Sequence, residues 1–162
     1  GLFCKNQAFK GGTSRFCSIY SVHNRMLENH PRQLERLYRP MLFDRQKEHV
    51  DGAEKMTLAP FFYWDGNQLN ARFNISLVHK GYKLAHKEMD SELEDSLRSL
   101  RNVLNSNDLW IEDQLESGQI QFLNNIEIVH FRGHFNDHEE PEIKRHLYRT
   151  WHRNSGERSY DG

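Results

Sequence analysis

The chain has 162 residues, a length that fits one domain or two very small ones. Its 22 basic and 23 acidic side chains give a formal net charge of -1, which argues against a general polyanion binder because such proteins carry a clear basic excess. Hydrophobic residues make up only 36% of the chain, so we expect a thin core or one that packs against further protein.

The first part of the chain is predicted to form two strands followed by two helices. Residues 2–5 and 14–19 have the pattern of short strands around a Lys-Gly-Gly-Thr turn at 10–13. Residues 20–29 carry apolar side chains at roughly helical spacing. Pro31 breaks this run before a second short helix, which ends ahead of the next proline.

The middle of the chain is predicted to contain a loop and a hairpin. Residues 43–57 are polar and charged, which is typical of an exposed loop. Residues 61–64 and 69–73 flank an Asp-Gly-Asn turn, and Asp-Gly tolerates the positive φ that hairpin turns need. These two segments are therefore predicted to pair as antiparallel strands.

The strongest helix signal covers residues 90–106, where Ser91 and Glu94 have the spacing of a capping box. An apolar stripe runs along this helix, formed by Leu93, Leu97, Leu100 and Leu104. Four strands are predicted after it, at 109–115, 119–123, 126–129 and 143–151. The alternation of short strands with inserted helices predicts an α+β fold or a β-sandwich with helical insertions.

Neither a disulfide framework nor a membrane span is predicted. Cys4 and Cys17 are too few for such a framework, so we predict two free thiols in a reducing compartment and a cytoplasmic protein. The longest aromatic and apolar run, at 59–64, is far shorter than the ~20 residues of a membrane helix. No secretory signal peptide is visible at the start of the sequence.

The candidate site lies in the segment 118–151. His130 is predicted to end one strand and Arg145 to begin the next, and two antiparallel strands can bring such residues to one cavity. A neutral imidazole is a good ligand for Fe(II), and a guanidinium group suits bidentate binding of a carboxylate. A metal ligand beside a carboxylate clamp is what an enzyme needs to chelate a dicarboxylate keto acid on iron.

These residues lie in a recognisable pattern. The run GQIQFLNNIEIVHFRGHF, followed by KRHLYRTW, resembles the C-terminal signature of the taurine dioxygenase (TauD/TfdA) and clavaminate synthase-like family. Members of this family are Fe(II)- and 2-oxoglutarate-dependent oxygenases. The earlier run FKGGTSRFCSIYSVHNRMLENHPRQLERLYRPMLFDR is similar to the segment that the family places after its first two metal ligands. The resemblance covers nearly the whole chain.

The resemblance implies a fold and a domain arrangement. The expected core is a double-stranded β-helix, or jelly roll, with helical insertions. We expect a single domain over residues 1–153 and a polar tail at 154–162. The implied activity is hydroxylation of an unknown small molecule, with Fe(II) and 2-oxoglutarate as cofactors and succinate as the second product.

The resemblance also implies roles for individual residues. His130 matches the distal iron ligand, and Arg145 matches the arginine that binds the far carboxylate of 2-oxoglutarate. Ser14 falls where relatives often carry a hydroxyl that helps hold that carboxylate, with Thr13 as the neighbouring option. Arg149 falls where relatives place a second arginine facing the active site, sometimes toward the primary substrate.

One part of the family pattern is absent. The family's first two iron ligands form a His-X-Asp or His-X-Glu motif ahead of the Gly-Gly segment, but no His, Asp or Glu occurs among residues 1–10. We therefore expect the chain to be the C-terminal part of a longer protein, with a jelly roll incomplete at its N-terminus. A His-X-Asp string does occur at His49 and Asp51, but in a polar stretch where the family has a variable loop.

Two other functions stay open from the sequence. The first is a non-catalytic β-sandwich that binds a ligand, or an inactive fragment that lacks two of three iron ligands. The second is a nucleic-acid binder, a weaker interpretation because the net charge opposes it, based on Arg132, Lys144, Arg145, Arg149, Trp151 and Arg153. We expect a small-molecule substrate, no nucleic acid and no membrane, and self-association through an exposed sheet edge.

Overall fold

The computed structural model describes residues 1–46 and 52–152, and these residues fall into two compact units. Unit 1 contains residues 1–18 and 108–152, whereas unit 2 contains residues 19–107 apart from the undescribed stretch. The predicted polar tail at 154–162 lies outside the described residues, as do His49 and Asp51.

The described elements alternate between the two units along the chain. Unit 1 begins with β1 (Leu2–Asn6), β2 (Lys10–Gly11) and β3 (Ser14–Ser18). Unit 2 follows with α1 (Ile19–Asn29), α2 (Pro31–Leu37), β4 (Met41–Asp44), β5 (Met56–Ala59), β6 (Phe62–Trp64), β7 (Leu69–Ala71), α3 (Ile75–Leu84) and α4 (Ser91–Leu104). After a 3-10 turn at Asn107–Leu109, unit 1 resumes with β8 (Ile111–Asp113), β9 (Ile120–Gln121), β10 (Ile128–Arg132), β11 (Phe135–Asn136) and β12 (His146–Arg149).

Unit 1 contains two antiparallel three-stranded sheets. Strand β1 lies between β12 and β9, and β3 lies between β10 and β8. The short strands β2 and β11 pair with each other. The helices and antiparallel strands agree with the predicted α+β class, and each predicted strand of this unit overlaps an observed one.

The apolar core of unit 1 is thin. Its buried apolar residues among those described are Cys4, Cys17 and Val129. Large apolar side chains on its strands, such as Phe3 and Tyr148, are exposed and stack across neighbouring strands with ring centres 6.2 Å apart. The small core follows from strands of two to five residues, which have few inward-facing positions.

Most of the buried apolar residues belong to unit 2. Phe43, Phe61 and Phe62 are fully buried, and Phe73 meets the latter two edge-on at ring-centre distances of 4.9 and 5.6 Å. Phe43 lies on β4, which pairs with β5. The prediction of an exposed loop over residues 43–57 is therefore wrong at both ends, because two short strands bury part of that segment.

The predicted leucine stripe of α4 is confirmed. Leu93, Leu97 and Leu100 are buried, and α4 packs against α1 and α2. The capping prediction is wrong by one residue, because Asp90 and not Ser91 caps the helix by accepting from the Leu93 N–H. No helix in the described part of the chain is long and apolar enough to cross a membrane.

Candidate functional site

A cleft of about 580 Å³ opens within unit 1. Ser14, His130, Arg145 and Arg149, the residues that the sequence analysis assigned to a site, all line it. These residues come from both three-stranded sheets, so neither sheet forms the cleft alone. The four predicted side chains are brought together although 135 positions separate the first from the last (149 minus 14).

The first wall of the cleft is formed by β3 and β10. His130 lies directly opposite Phe16, and Arg132 lies directly opposite Ser14. Because alternate residues of a strand point to the same side, these four positions share one face of the sheet. Arg15, between two of them, points to the other face and forms an ion pair with Glu112 at 2.6 Å.

The second wall is formed by the sheet around β1. Leu2 lies opposite Arg149 of β12 on one side and opposite Gln121 of β9 on the other. All three residues line the cleft. A guanidinium group and an amide therefore flank one aliphatic side chain, with neighbouring strands spaced ~4.8 Å apart.

The positions of His130 and Arg145 differ from the sequence prediction. His130 lies in the middle of β10 and does not end a strand, and Arg145 immediately precedes β12. Strands β10 and β12 belong to different sheets, with β11 and a 3-10 turn between them in the chain. The two residues line one cleft because it has a wall from each sheet.

The Gly-Gly segment is what allows the loop before Arg145 to approach β3. The backbone of Gly12 donates to the His134 carbonyl at 3.0 Å, and Gly11 pairs with Phe135. Both glycines have positive φ, and a Cβ on Gly11 would lie 2.5 Å from the His134 oxygen. Any larger residue at position 11 would push this loop away from the cleft.

Ser14 and Thr13 have different surroundings. Ser14 lines the cleft opposite Arg132. The Thr13 hydroxyl instead donates to the side-chain oxygen of Gln114 at 3.1 Å. Of the two hydroxyls that the sequence analysis left open, Ser14 is therefore the one that faces the cleft.

The cleft has a strongly positive lining in a chain that is nearly neutral overall. Arg132, Arg145 and Arg149 all line it, and no Asp or Glu does so in the described part of the chain. Burial lowers the pKa of Arg145 from its ordinary value, and the positive charge of Arg132 lowers it further. Both causes disfavour the charged form of Arg145 when no anion is bound, and a bound anion would counteract them.

One residue of the cleft lining, Gln121, carries a buried acceptor. The Gln121 Oε1 atom is inaccessible to solvent and has no hydrogen-bond partner among the described residues. Buried polar atoms in folded proteins are nearly always paired. Gln121 is therefore an exception to this rule within the lining of the cleft.

Two histidines line the cleft, His130 and His146, and an imidazole is a donor that iron favours. Of the two, His130 is the one that the family resemblance assigns to iron. Within residues 1–46 and 52–152, no group of three or more His, Cys, Asp or Glu could hold a metal ion. A facial triad of three protein ligands is therefore not completed by this part of the chain. The arginines and Ser14, by contrast, fit a dicarboxylate.

Three residues were not assigned to this site from the sequence: Arg132 and Gln121, which line the cleft, and Phe135, whose ring contacts Arg132 and Arg145. Period-two alternation along β10 could have placed Arg132 beside His130, since both point to the same face. Phe135 gave no such signal, because β11 has only two residues. Gln121 becomes notable only when its buried, unpaired oxygen is seen.

Comparison with known proteins matches residues 1–151 to the model of the family described as Taurine catabolism dioxygenase TauD, TfdA family. Among curated proteins, the FR-33289 synthase of Streptomyces rubellomurinus is 26% identical over 154 residues, covering 93% of this chain and 45% of the synthase. A taurine hydroxylase-like protein of Stachybotrys chartarum is 26% identical over 151 residues, covering 91% of this chain and 38% of that protein. The chain thus spans less than half the length of these relatives.

Two solved structures share the fold. One is an asparagine oxygenase in complex with Fe(II), 2S,3S-3-hydroxyasparagine and succinate, with a TM-score of 0.65 and 15% identity. The other is the non-heme iron oxygenase OrfP in complex with Fe, with a TM-score of 0.58 and 16% identity. Each match covers 90% of this chain, and 42% and 43% of the two solved chains respectively.

Proposed function

Because the chain belongs to the taurine catabolism dioxygenase TauD, TfdA family, we propose that it functions as an Fe(II)- and 2-oxoglutarate-dependent dioxygenase with a jelly-roll core. The proposed reaction hydroxylates a small molecule with dioxygen as the oxidant: one oxygen atom enters the hydroxylated product and the other enters succinate, while 2-oxoglutarate loses carbon dioxide. The observation that carries this proposal is the cleft of unit 1, where His130 lies among three arginines. When bound, iron and 2-oxoglutarate supply the oxidising chemistry.

In this proposal, each predicted residue of the cleft binds a particular ligand. Arg145 binds the far carboxylate of 2-oxoglutarate through its planar guanidinium group, and Ser14 donates to the same carboxylate. Arg149 lies on the second wall of the cleft, opposite Leu2 of β1 and in line with Gln121. In this position it faces the primary substrate. His130 is the iron ligand that this part of the chain contributes.

The first test is the affinity for 2-oxoglutarate, measured by calorimetry. Removing one partner of a desolvated charge pair costs ~2–5 kcal/mol, so Arg145→Gln should weaken binding by a factor of at least ~30. Arg15→Gln is the matched control, because Arg15 is paired with Glu112 on the other face of the same wall. Equal affinities for wild type and Arg145→Gln would contradict the role of Arg145.

The second test is an anaerobic titration with Fe(II) and 2-oxoglutarate, followed by the visible charge-transfer band. A band that saturates at one iron per chain would show that this chain completes an iron site, and the band should then be lost in His130→Ala. Stoichiometric iron binding retained by His130→Ala would show that this residue is structural.

Ligand binding without catalysis is a second function that the same cleft supports, because its positive lining suits a dicarboxylate whether or not iron is present. Binding of 2-oxoglutarate with no charge-transfer band at any iron concentration would favour this second function. Absence of 2-oxoglutarate binding, with and without Fe(II), would contradict both.

A further inference from the structure

We propose that Phe135 is a positioning residue of the anion site: its ring contacts both Arg132 and Arg145 and holds their guanidinium groups at the cleft, so that both act on one carboxylate ligand. The inference rests on the proposed function, because it concerns the same cleft. The Cζ atoms of Arg132 and Arg145 lie 4.5 Å and 5.1 Å from the centre of the Phe135 ring. Contacts of this length are attractive because the face of an aromatic ring carries partial negative charge.

The ring is itself held in place by the backbone. Phe135 belongs to β11, which pairs with β2 at Gly11. A Cβ added to Gly12 would lie 3.5 Å from the Cβ of Phe135 and 3.7 Å from the Nε of Arg145, so Gly12 is adjacent to both residues. The carboxylate of Asp137, two residues after Phe135, accepts from the backbone N–H of Arg145 at 2.7 Å. One short segment thus positions both the main chain and the side chain of Arg145.

Without a ligand, the two positive charges are only partly balanced, by the nearby carboxylate of Asp137 at Arg145. Neither Arg132 nor Arg145 forms an ion pair in the described part of the chain, in contrast to Arg15 with its partner Glu112. Two like charges on one ring repel each other, and the ring compensates only part of that repulsion. A carboxylate that contacts both would bind to both, and Arg132 would share in the affinity that the family resemblance assigns to Arg145 and Ser14.

The test measures the affinity for 2-oxoglutarate in three phenylalanine variants and one arginine variant. We expect Phe135→Leu to weaken binding about tenfold through loss of both ring contacts, and Phe135→Tyr to retain wild-type affinity because it keeps the ring. Phe122→Leu is the matched control, since Phe122 is 66% exposed and lies outside the cleft lining. Arg132→Gln, a change at an exposed residue, should also weaken binding about tenfold.

A second readout needs no ligand. In the NMR spectrum of the arginine Nε–Hε groups, the Phe135 ring current shifts the signals of Arg132 and Arg145, and Phe135→Leu should move those two signals while leaving Arg15 unchanged. Thermal unfolding of each variant measures its fold stability, so that lost affinity in a folded variant is assigned to the site.

The outcomes separate this inference from the proposed function. If the wild type binds 2-oxoglutarate and both Phe135→Leu and Arg132→Gln bind it equally well, the positioning role is overturned and the proposed function stands. If Phe135→Tyr is as weak as Phe135→Leu, the ring itself is not responsible and the inference also fails. If the wild type does not bind 2-oxoglutarate, with and without Fe(II), both are overturned.

Discussion

Arg36 and Asp90 connect α2 to α4 through one carboxylate. The Nη2 of Arg36 donates to Oδ2 of Asp90 at 2.9 Å, and Oδ1 of Asp90 accepts from the Leu93 N–H at 2.7 Å. Arg36 is only 5% exposed, so water compensates little of its charge. The same aspartate therefore caps one helix and balances a buried cation on another.

Replacing Asp90 should be costly for this reason. We expect Asp90→Ala to lower the free energy of unfolding by about 3 kcal/mol, combining a lost helix cap with an unbalanced buried charge. Glu92→Ala is the control, because Glu92 pairs with Arg39 where both side chains are more than half exposed, and should cost under ~1 kcal/mol. Urea unfolding measures the loss of unfolding free energy in both variants. Equal losses would show that burial of the paired arginine does not set the size of the loss.

The same pair predicts a dependence of stability on pH. The hydrogen bond from Arg36 holds the pKa of Asp90 below its ordinary value, and the Leu93 N–H adds to this effect. A carboxyl group with a lowered folded-state pKa contributes stability above its unfolded pKa of ~3.9, and loses it as pH falls through the folded pKa. The stability difference between wild type and Asp90→Asn should be constant above about pH 5 and shrink below about pH 4. A difference that stays unchanged down to pH 2 would contradict this assignment.

Gly11 should tolerate substitution worse than another glycine of the same unit. Gly11 and Gly118 both have positive φ, 78° and 88°, but a Cβ meets the His134 oxygen at 2.5 Å only at Gly11. We expect Gly118→Ala to cost about 1 kcal/mol from backbone strain, and Gly11→Ala about 3 kcal/mol because a backbone clash is added. Thermal unfolding compares the two, and equal losses would show that the loop moves without cost.

Gln121→Leu should not destabilise the protein, although it removes a polar group from a partly buried site. The Oε1 of Gln121 has no partner in the described part of the chain, so the change removes a desolvated acceptor and no hydrogen bond. We expect a change within about 1 kcal/mol, in the stabilising direction. Asn70→Leu is the matched amide control, because Asn70 donates to Asp65 at 2.8 Å and should cost about 2 kcal/mol. A large loss in Gln121→Leu would reveal a hydrogen bond that the geometry does not contain.

Both cysteines should react slowly with thiol reagents at neutral pH. Cys4 and Cys17 are free and buried, and burial raises the pKa of each thiol. The charge of Arg145 partly offsets this effect at Cys4 alone, so Arg145→Gln should raise the pKa of Cys4 further and slow its labelling, while Cys17 is unaffected. Mass spectrometry of peptides labelled at pH 8 separates the two sites. Faster labelling of Cys4 in the variant would indicate that access, not charge, limits its reaction.

Much of the local structure could be predicted because its signals are local. The leucine stripe of α4 and the hairpin of β6 and β7 follow from residues that are near each other in the chain. The pairing of β4 with β5 was missed because a polar stretch separates them, and the burial of Phe43 depends on packing that no short window contains. The cap at Asp90 was misplaced because Ser91 is an equally good capping residue type.

The sequence by itself determined the family and the α+β class, and it predicted that Ser14, His130, Arg145 and Arg149 share a site, because the motifs that contain them are contiguous. Only the tertiary structure decided which side chains meet. Strand β1 pairs with β12 from the far end of the described chain, and β3 pairs with β10, so the cleft joins residues more than a hundred positions apart. The contacts of Phe135 with two arginines and the unpaired oxygen of Gln121 depend on that pairing, since hydrogen bonds between distant strands set register and face, and neither is encoded in local spacing.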